Sequence, residues 1–140
     1  MLRNLTFQAK RENLPQMLTQ ITDEISKYVT GEILFNRLKI CAEEILVNII
    51  DYSGTENLYI SCEFVESENA LRFEFADEGT PYNPLENDTE VDIDAEMDAR
   101  NIGGLGIFLY TTIMDKIDYR YENGKNYLTA IKNLDAEEVN

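Results

Sequence analysis

The alternation Leu71, Phe73, Phe75, Asp77, running directly into Glu78 and Gly79, constrains this chain more than any other stretch. Side chains two apart on a strand share a face, so the Asp77 carboxylate stands in phase with three apolar side chains, on the buried side of a sheet. A carboxylate placed there needs a donor, because desolvation without one costs several kcal/mol or forces protonation. Taken alone, Asp-x-Gly after a strand is an ordinary turn. The interest lies in what accompanies it.

Residues 77–85 and 103–109 read Asp-Glu-Gly-Thr-Pro-Tyr-Asn-Pro-Leu and Gly-Gly-Leu-Gly-Ile-Phe-Leu, two glycine-marked turns on either side of an acidic stretch. Together they suggest the two halves of a nucleotide pocket. An exocyclic amine such as that of adenine is a donor suited to Asp77, and Gly79 would let a ligand approach the backbone closely. In the second turn Gly103, Gly104 and Gly106 free the backbone to aim N–H groups at one point, and a helix beginning near Leu105 adds its positive end, an arrangement suited to phosphate. Two familiar alternatives fail. The chain has no Gly-Lys-Ser/Thr of a P-loop, and a dinucleotide turn would need glycine at Leu109 and a strand where the acids lie. Arg100 is the only basic residue near this turn, placed either to touch phosphate or merely to offset the acids around it.

A third element lies upstream. From Glu32 to Tyr52 there is no Pro or Gly, and Leu34, Leu38, Cys41, Ile45 and Ile49 recur at helical spacing. Glu44 and Asn48 stand one turn apart on that helix. Apolar neighbours, Ile40, Ile45, Leu46, Ile49 and Ile50, suggest that this part of the helix is largely covered. A carboxylate and a carboxamide side by side offer oxygens to a hard cation. In isolation Glu-x-x-x-Asn is a solvated stripe on an amphipathic helix.

In this order and spacing the three segments resemble the GHKL, or Bergerat-fold, ATPase superfamily, and within it the anti-sigma-factor serine kinase branch. Glu44 to Asn48 match the N box, Asp77 to Gly79 with Pro81-Tyr82-Asn83-Pro84-Leu85 the first glycine box, and Gly103 to Gly106 the second. The resemblance covers roughly residues 5–134, including Met114-Asp115 through Tyr119 and Glu122-Asn123-Gly124 to Leu128-Thr129. No single box is specific, whereas the ordered set on a single-domain chain is. The resemblance implies an ATP-dependent protein serine kinase using Mg²⁺. Asp77 would read adenine, with Gly79, Pro81 and Thr129 beside it, and Gly103, Gly104, Leu105 and Gly106, with Arg100, would meet the phosphates. Asn48 would hold the metal, and Glu44 would take the proton of an incoming serine, in preference to Glu43 because of the four-residue step to Asn48. The implied partners are a sigma factor and an anti-anti-sigma-like protein bearing the acceptor serine, held by a homodimer. The alternative is an ATP-binding regulatory module, or a histidine-kinase-like ATPase domain acting with a separate phosphoacceptor protein.

Composition bounds the rest. At 140 residues with 44% apolar content the chain suits one domain, 1–140, with one core. There is no run of about 18 apolar residues for a membrane span, and Met1-Leu2-Arg3-Asn4 does not open a signal peptide, so a cytoplasmic location is expected. Cys41 and Cys62 fall on apolar patterns and read as reduced core residues. With 27 acids against 12 bases and a formal charge of −15, duplex DNA and anionic membranes are poor partners, and a basic protein surface fits better. Histidine is absent, which excludes a His-based acid/base pair, a catalytic triad and a phosphohistidine within this chain.

The expected elements are a strand over Leu5–Ala9, a helix over Leu14–Val29 with the stripe Leu14, Leu18, Ile21, Ile25, Tyr28, and the Glu44 helix after Gly31. Strands follow over Asn57–Val65 and Ala70–Asp77, then a helix over Leu105–Met114 and a hairpin, Lys116–Tyr121 and Asn126–Lys132, turning at Asn123-Gly124. This is an α+β two-layer sandwich, a mixed, mostly antiparallel sheet covered on one face by three helices. Residues 86–102, with acids at alternate positions from Glu86 to Asp98, correspond to the family's ATP lid and are expected to be solvated and mobile, and 135–140 form a tail.

Overall fold

The computed structural model describes residues 1–85 and 110–134. Its strands are β1 (Leu2–Gln8), β2 (Asn57–Val65), β3 (Ala70–Asp77), β4 (Lys116–Glu122) and β5 (Lys125–Asn133), and its helices α1 (Leu14–Ile25) and α2 (Glu32–Tyr52). One five-stranded sheet runs in the order β1-β2-β3-β5-β4, and every pairing among the described strands is antiparallel. The α+β two-layer architecture expected from periodicity is the one observed. Of the expected third helix, 110–113 is helical, Met114 lies past its end, and 105–109 lies outside the described residues.

Strand alternation builds the inner face in rows. Ile60, Phe75 and Leu128 lie side by side across β2, β3 and β5, as do Cys62, Phe73 and Ala130, all buried. Against them pack Met17, Ile21 and Ile25 of α1 and Leu34, Leu38, Cys41, Ile45 and Leu46 of α2. Burial of each large side chain contributes about 1.5–3 kcal/mol. The opposite face is charged: Arg72 pairs with Glu74 at 3.2 Å and Arg120 with Glu122 at 3.2 Å, and the Arg120 guanidinium lies over the Tyr127 ring.

The punctuation behaves as its chemistry requires. Gly31 is the extended residue before α2, and Pro15 sits in the first turn of α1, where its missing N–H costs nothing. Asn123 and Gly124 take φ of 53° and 79°, the left-handed pair that a two-residue hairpin turn needs. Several expectations about the helices change. Helix α1 stops at Ile25 rather than Val29, because Lys27 N–H bonds Glu24 O and Tyr28 N–H bonds Ile25 O, tightening the last turn. Its buried stripe includes Met17, while Leu14 and Leu18 are only partly covered. Ile40 of α2 turns outward and is 44% exposed.

Both cysteines are free and buried, and burial pushes each thiol up to about 12. The thiolate is the reactive form, so the native protein is expected to resist iodoacetamide at pH 8 and to label twice in denaturant. Rapid native labelling would reveal local opening of the core between the helices and the sheet. No helix among the described residues is long and apolar enough to cross a membrane.

Candidate functional site

Asp77 closes β3 on the inner face and is 3% exposed. Its Oδ1 accepts from Gly79 N–H at 2.9 Å and from Asn126 Nδ2 at 3.0 Å. Burial pushes its carboxyl above the usual range, and Glu78 adds to this; the Asn126 and Gly79 hydrogen bonds pull the other way. The donor that the sequence demanded is therefore supplied from inside, by β5 and by the turn. One face of this carboxyl borders a cavity of about 30 Å³ that Asn48, Ile45, Ile49, Phe75, Tyr82, Pro84, Tyr110, Tyr119, Asn126 and Leu128 also line. That volume holds about two waters.

Asn48 comes to the same cavity from α2, buried, with Nδ2 at 3.5 Å from the Tyr110 hydroxyl. Asp77 and Asn48, 29 positions apart in the chain, are thus brought together as expected. The amide's other end, Oδ1, is an oxygen of the kind a hard cation such as Mg²⁺ would take, with water and phosphate to supply the other ligands. Among the described residues there is no cluster of three or more Cys, Asp or Glu side chains suited to a metal.

Glu44 stands one turn before Asn48, half-buried and outside the cavity lining. Burial raises its pKa and the neighbouring Glu43 adds to the rise, while Arg11 opposes it. Arg11 reaches this face from the short turn before α1 and grips Asp51 with both arms, Nη2 to Oδ2 at 2.6 Å and Nε to Oδ1 at 3.2 Å. Glu44, Asn48 and Asp51 therefore form one polar line on α2, with Arg11 laid across its end.

Other expected residues fall differently. Thr129 lies on the outer face of β5, opposite Glu74 in register, with Oγ1 at 3.4 Å from Glu74 Oε2. Strand parity puts Asn126, Leu128 and Ala130 inside and Thr129 outside, so Asn126 takes the position beside Asp77. Gly79 does not line the cavity. A Cβ there would stand 2.1 Å from Ser53 O, so the missing side chain makes room for the end of α2 rather than for a ligand. Pro81 is exposed, whereas Tyr82 and Pro84 from the same turn form the wall. Arg100, Gly103, Gly104, Leu105, Gly106 and the lid 86–102 lie outside the described residues. Sequence reasoning missed Arg11, Ser53 and Asn126. Only Asn126 carried a signal, as the polar member of the inward set Asn126, Leu128, Ala130.

A family model described as histidine kinase-like ATPase domain matches residues 7–132. The serine-protein kinase RsbW of Listeria monocytogenes serovar 1/2a is 30% identical over 92 residues, and that of Listeria innocua serovar 6a is 36% identical over 95. In both the match covers 62% of this chain and 59% of the relative, so the chain aligns with little more than half of each. Among solved structures, the Acinetobacter baumannii histidine kinase AdeS superimposes with a TM-score of 0.55 at 16% identity, over 96% of this chain and 70% of that one. The histidine kinase domain of the Erythrobacter litoralis EL346 blue-light activated histidine kinase gives 0.55 at 12%, over 89% and 63%. At such identities the likeness is one of fold.

Proposed function

Because this chain belongs to the histidine kinase-like ATPase domain family, we propose that it is an ATP-dependent protein serine kinase of the anti-sigma type. In this reading it phosphorylates a serine of an anti-anti-sigma-like partner, binds a sigma factor, and acts as a cytoplasmic homodimer. The observation that supports it is the meeting of Asp77 and Asn48 in one cavity, whose lining thus holds both an acceptor for an amine and an oxygen ligand. Similarity to proteins named serine-protein kinase favours serine as the acceptor over another phosphoacceptor.

The whole chain, 1–140, is one catalytic unit, with 86–102 as its lid and 135–140 as a tail. Asp77 accepts the adenine amine. Asn48 presents its Oδ1 to Mg²⁺, which when bound neutralises charge on the phosphates. Gly103, Gly104, Leu105 and Gly106 offer backbone N–H groups to those phosphates, with Arg100 as an added cation. Glu44 takes the hydroxyl proton of the acceptor serine as its oxygen bonds to the γ-phosphorus and the bond to the β-phosphate oxygen breaks. Positioning and electrostatics supply most of the rate. The charge of −15 suits a partner that docks through a basic surface.

Titration calorimetry of the wild type and Asp77→Asn with Mg·ATP tests the base-reading role. An amide turns a donor toward the adenine amine and disturbs the Asn126 contact, so affinity is expected to fall by about 1–3 kcal/mol or more. Equal affinities would remove Asp77 from this role. A wild type that binds no ATP would remove the function.

A further inference from the structure

Asn126 is 5% exposed, and its amide uses all four of its hydrogen-bonding positions inside the protein. Nδ2 donates to Asp77 Oδ1 at 3.0 Å and to Thr80 O at 2.9 Å. Oδ1 accepts from Tyr82 N–H at 3.1 Å and from the Tyr119 hydroxyl at 2.5 Å. Reversing the amide would set oxygen against the carboxylate and an NH₂ against the Tyr82 N–H, so only one orientation satisfies the neighbours. Through this one side chain β5 is tied to the end of β3, to the glycine turn and to β4.

We propose, resting on the reading of the cavity as an ATP site, that Asn126 is a positioning residue that sets which purine the site takes. It pins Asp77 through Oδ1, so that the edge of the carboxylate toward the cavity offers acceptors alone. A 6-amino purine supplies the hydrogen that this edge needs. In the same pose a 6-oxo purine sets its carbonyl, another acceptor, against that edge, and its N1–H reaches the carboxylate only if the base shifts along the wall. Asn126 also holds Thr80 and Tyr82, so the wall beside the base is fixed by the same amide. Removing the amide frees the carboxylate to turn away. The loss falls on the purine that used it, and the ligand already rejected has little to lose.

Calorimetry with Mg·ATP and with Mg·GTP, on the full chain and alongside thermal melts, is the test. The wild type is expected to prefer ATP by roughly 10²-fold or more. In Asn126→Ala the ATP-to-GTP ratio should fall roughly tenfold or more, chiefly through ATP. Tyr119→Phe keeps the ring but removes the hydroxyl that holds Asn126 Oδ1, and should lower the ratio a few-fold with little change in melting temperature. A purely structural Asn126 would weaken both nucleotides by the same factor. An unchanged ratio in Asn126→Ala, or in Tyr119→Phe should Asn126→Ala fail to fold, overturns the assignment. Failure of the ATP reading itself shows separately, as a wild type that binds neither nucleotide.

Discussion

Replacing Glu44 by Gln is expected to leave folding and Mg·ATP binding intact while phosphoryl transfer to an acceptor serine falls by roughly 10²–10⁴, the usual contribution of a positioned general base. The half-buried setting of Glu44 makes the expectation specific. Burial raises its pKa, Glu43 raises it further, and Arg11 holds it down. A base acts in its ionised form, so the transfer rate should drop as pH falls through that raised value. Arg11→Ala removes the opposing charge and should carry the acid limb of the profile to higher pH. Glu43→Gln removes the like charge and should carry it to lower pH with the plateau retained. Quench-flow transfer assays across pH provide the measurement. Full activity in Glu44→Gln with loss in Glu43→Gln would move the role to the neighbouring carboxylate.

Gly79→Ala is expected to destabilise the fold by about 1–3 kcal/mol or more, because the added methyl meets backbone rather than a side chain that can swing aside. Its nearest neighbours would be Ser53 O at 2.1 Å and Ser53 C at 2.7 Å. Relief requires the glycine turn to move off the end of α2, which stretches the bond from Thr80 N–H to Ser53 O. The melting temperature should drop by roughly 4 °C for each kcal/mol lost. The same movement draws Gly79 N–H away from Asp77 Oδ1, so ATP affinity should fall with it. Gly54 provides the control. Its φ is +72° but a Cβ there meets nothing within 4 Å. Asn accepts that left-handed conformation, as Asn4, Asn69 and Asn123 do in this chain, so Gly54→Asn should melt close to the wild type. A Gly79→Ala protein melting with the wild type would show that Ser53 yields freely.

Much of the scaffold was legible in the sequence because its signals are local. Helix α2 and strands β2 and β3 fall where periodicity and glycine punctuation place them. At β1 the strand begins at Leu2 rather than Leu5, since pairing with Cys62 resumes beyond an irregularity at Asn4, whose φ of 48° breaks the alternation. In the site, Asp77 and Asn48 could be foreseen because each is polar on an otherwise apolar face. Thr129, which the resemblance put beside Asp77, lies on the outer face of β5 by strand parity, and Asn126 stands on the inner face. The Arg11–Asp51 grip joins residues forty positions apart through side chains alone, and no periodicity encodes it.

Asp77 and Asn126 are directly opposed in the β3–β5 register, and Leu58 flanks Asp77 on the other side. The two groups therefore sit on a single rung of the sheet, held by the strand ladders. The turn beside the cavity is bonded to that rung, Gly79 N–H to Asp77 and Tyr82 N–H to Asn126. Rung and turn therefore move as one body, and a change of sequence at either is felt at the other.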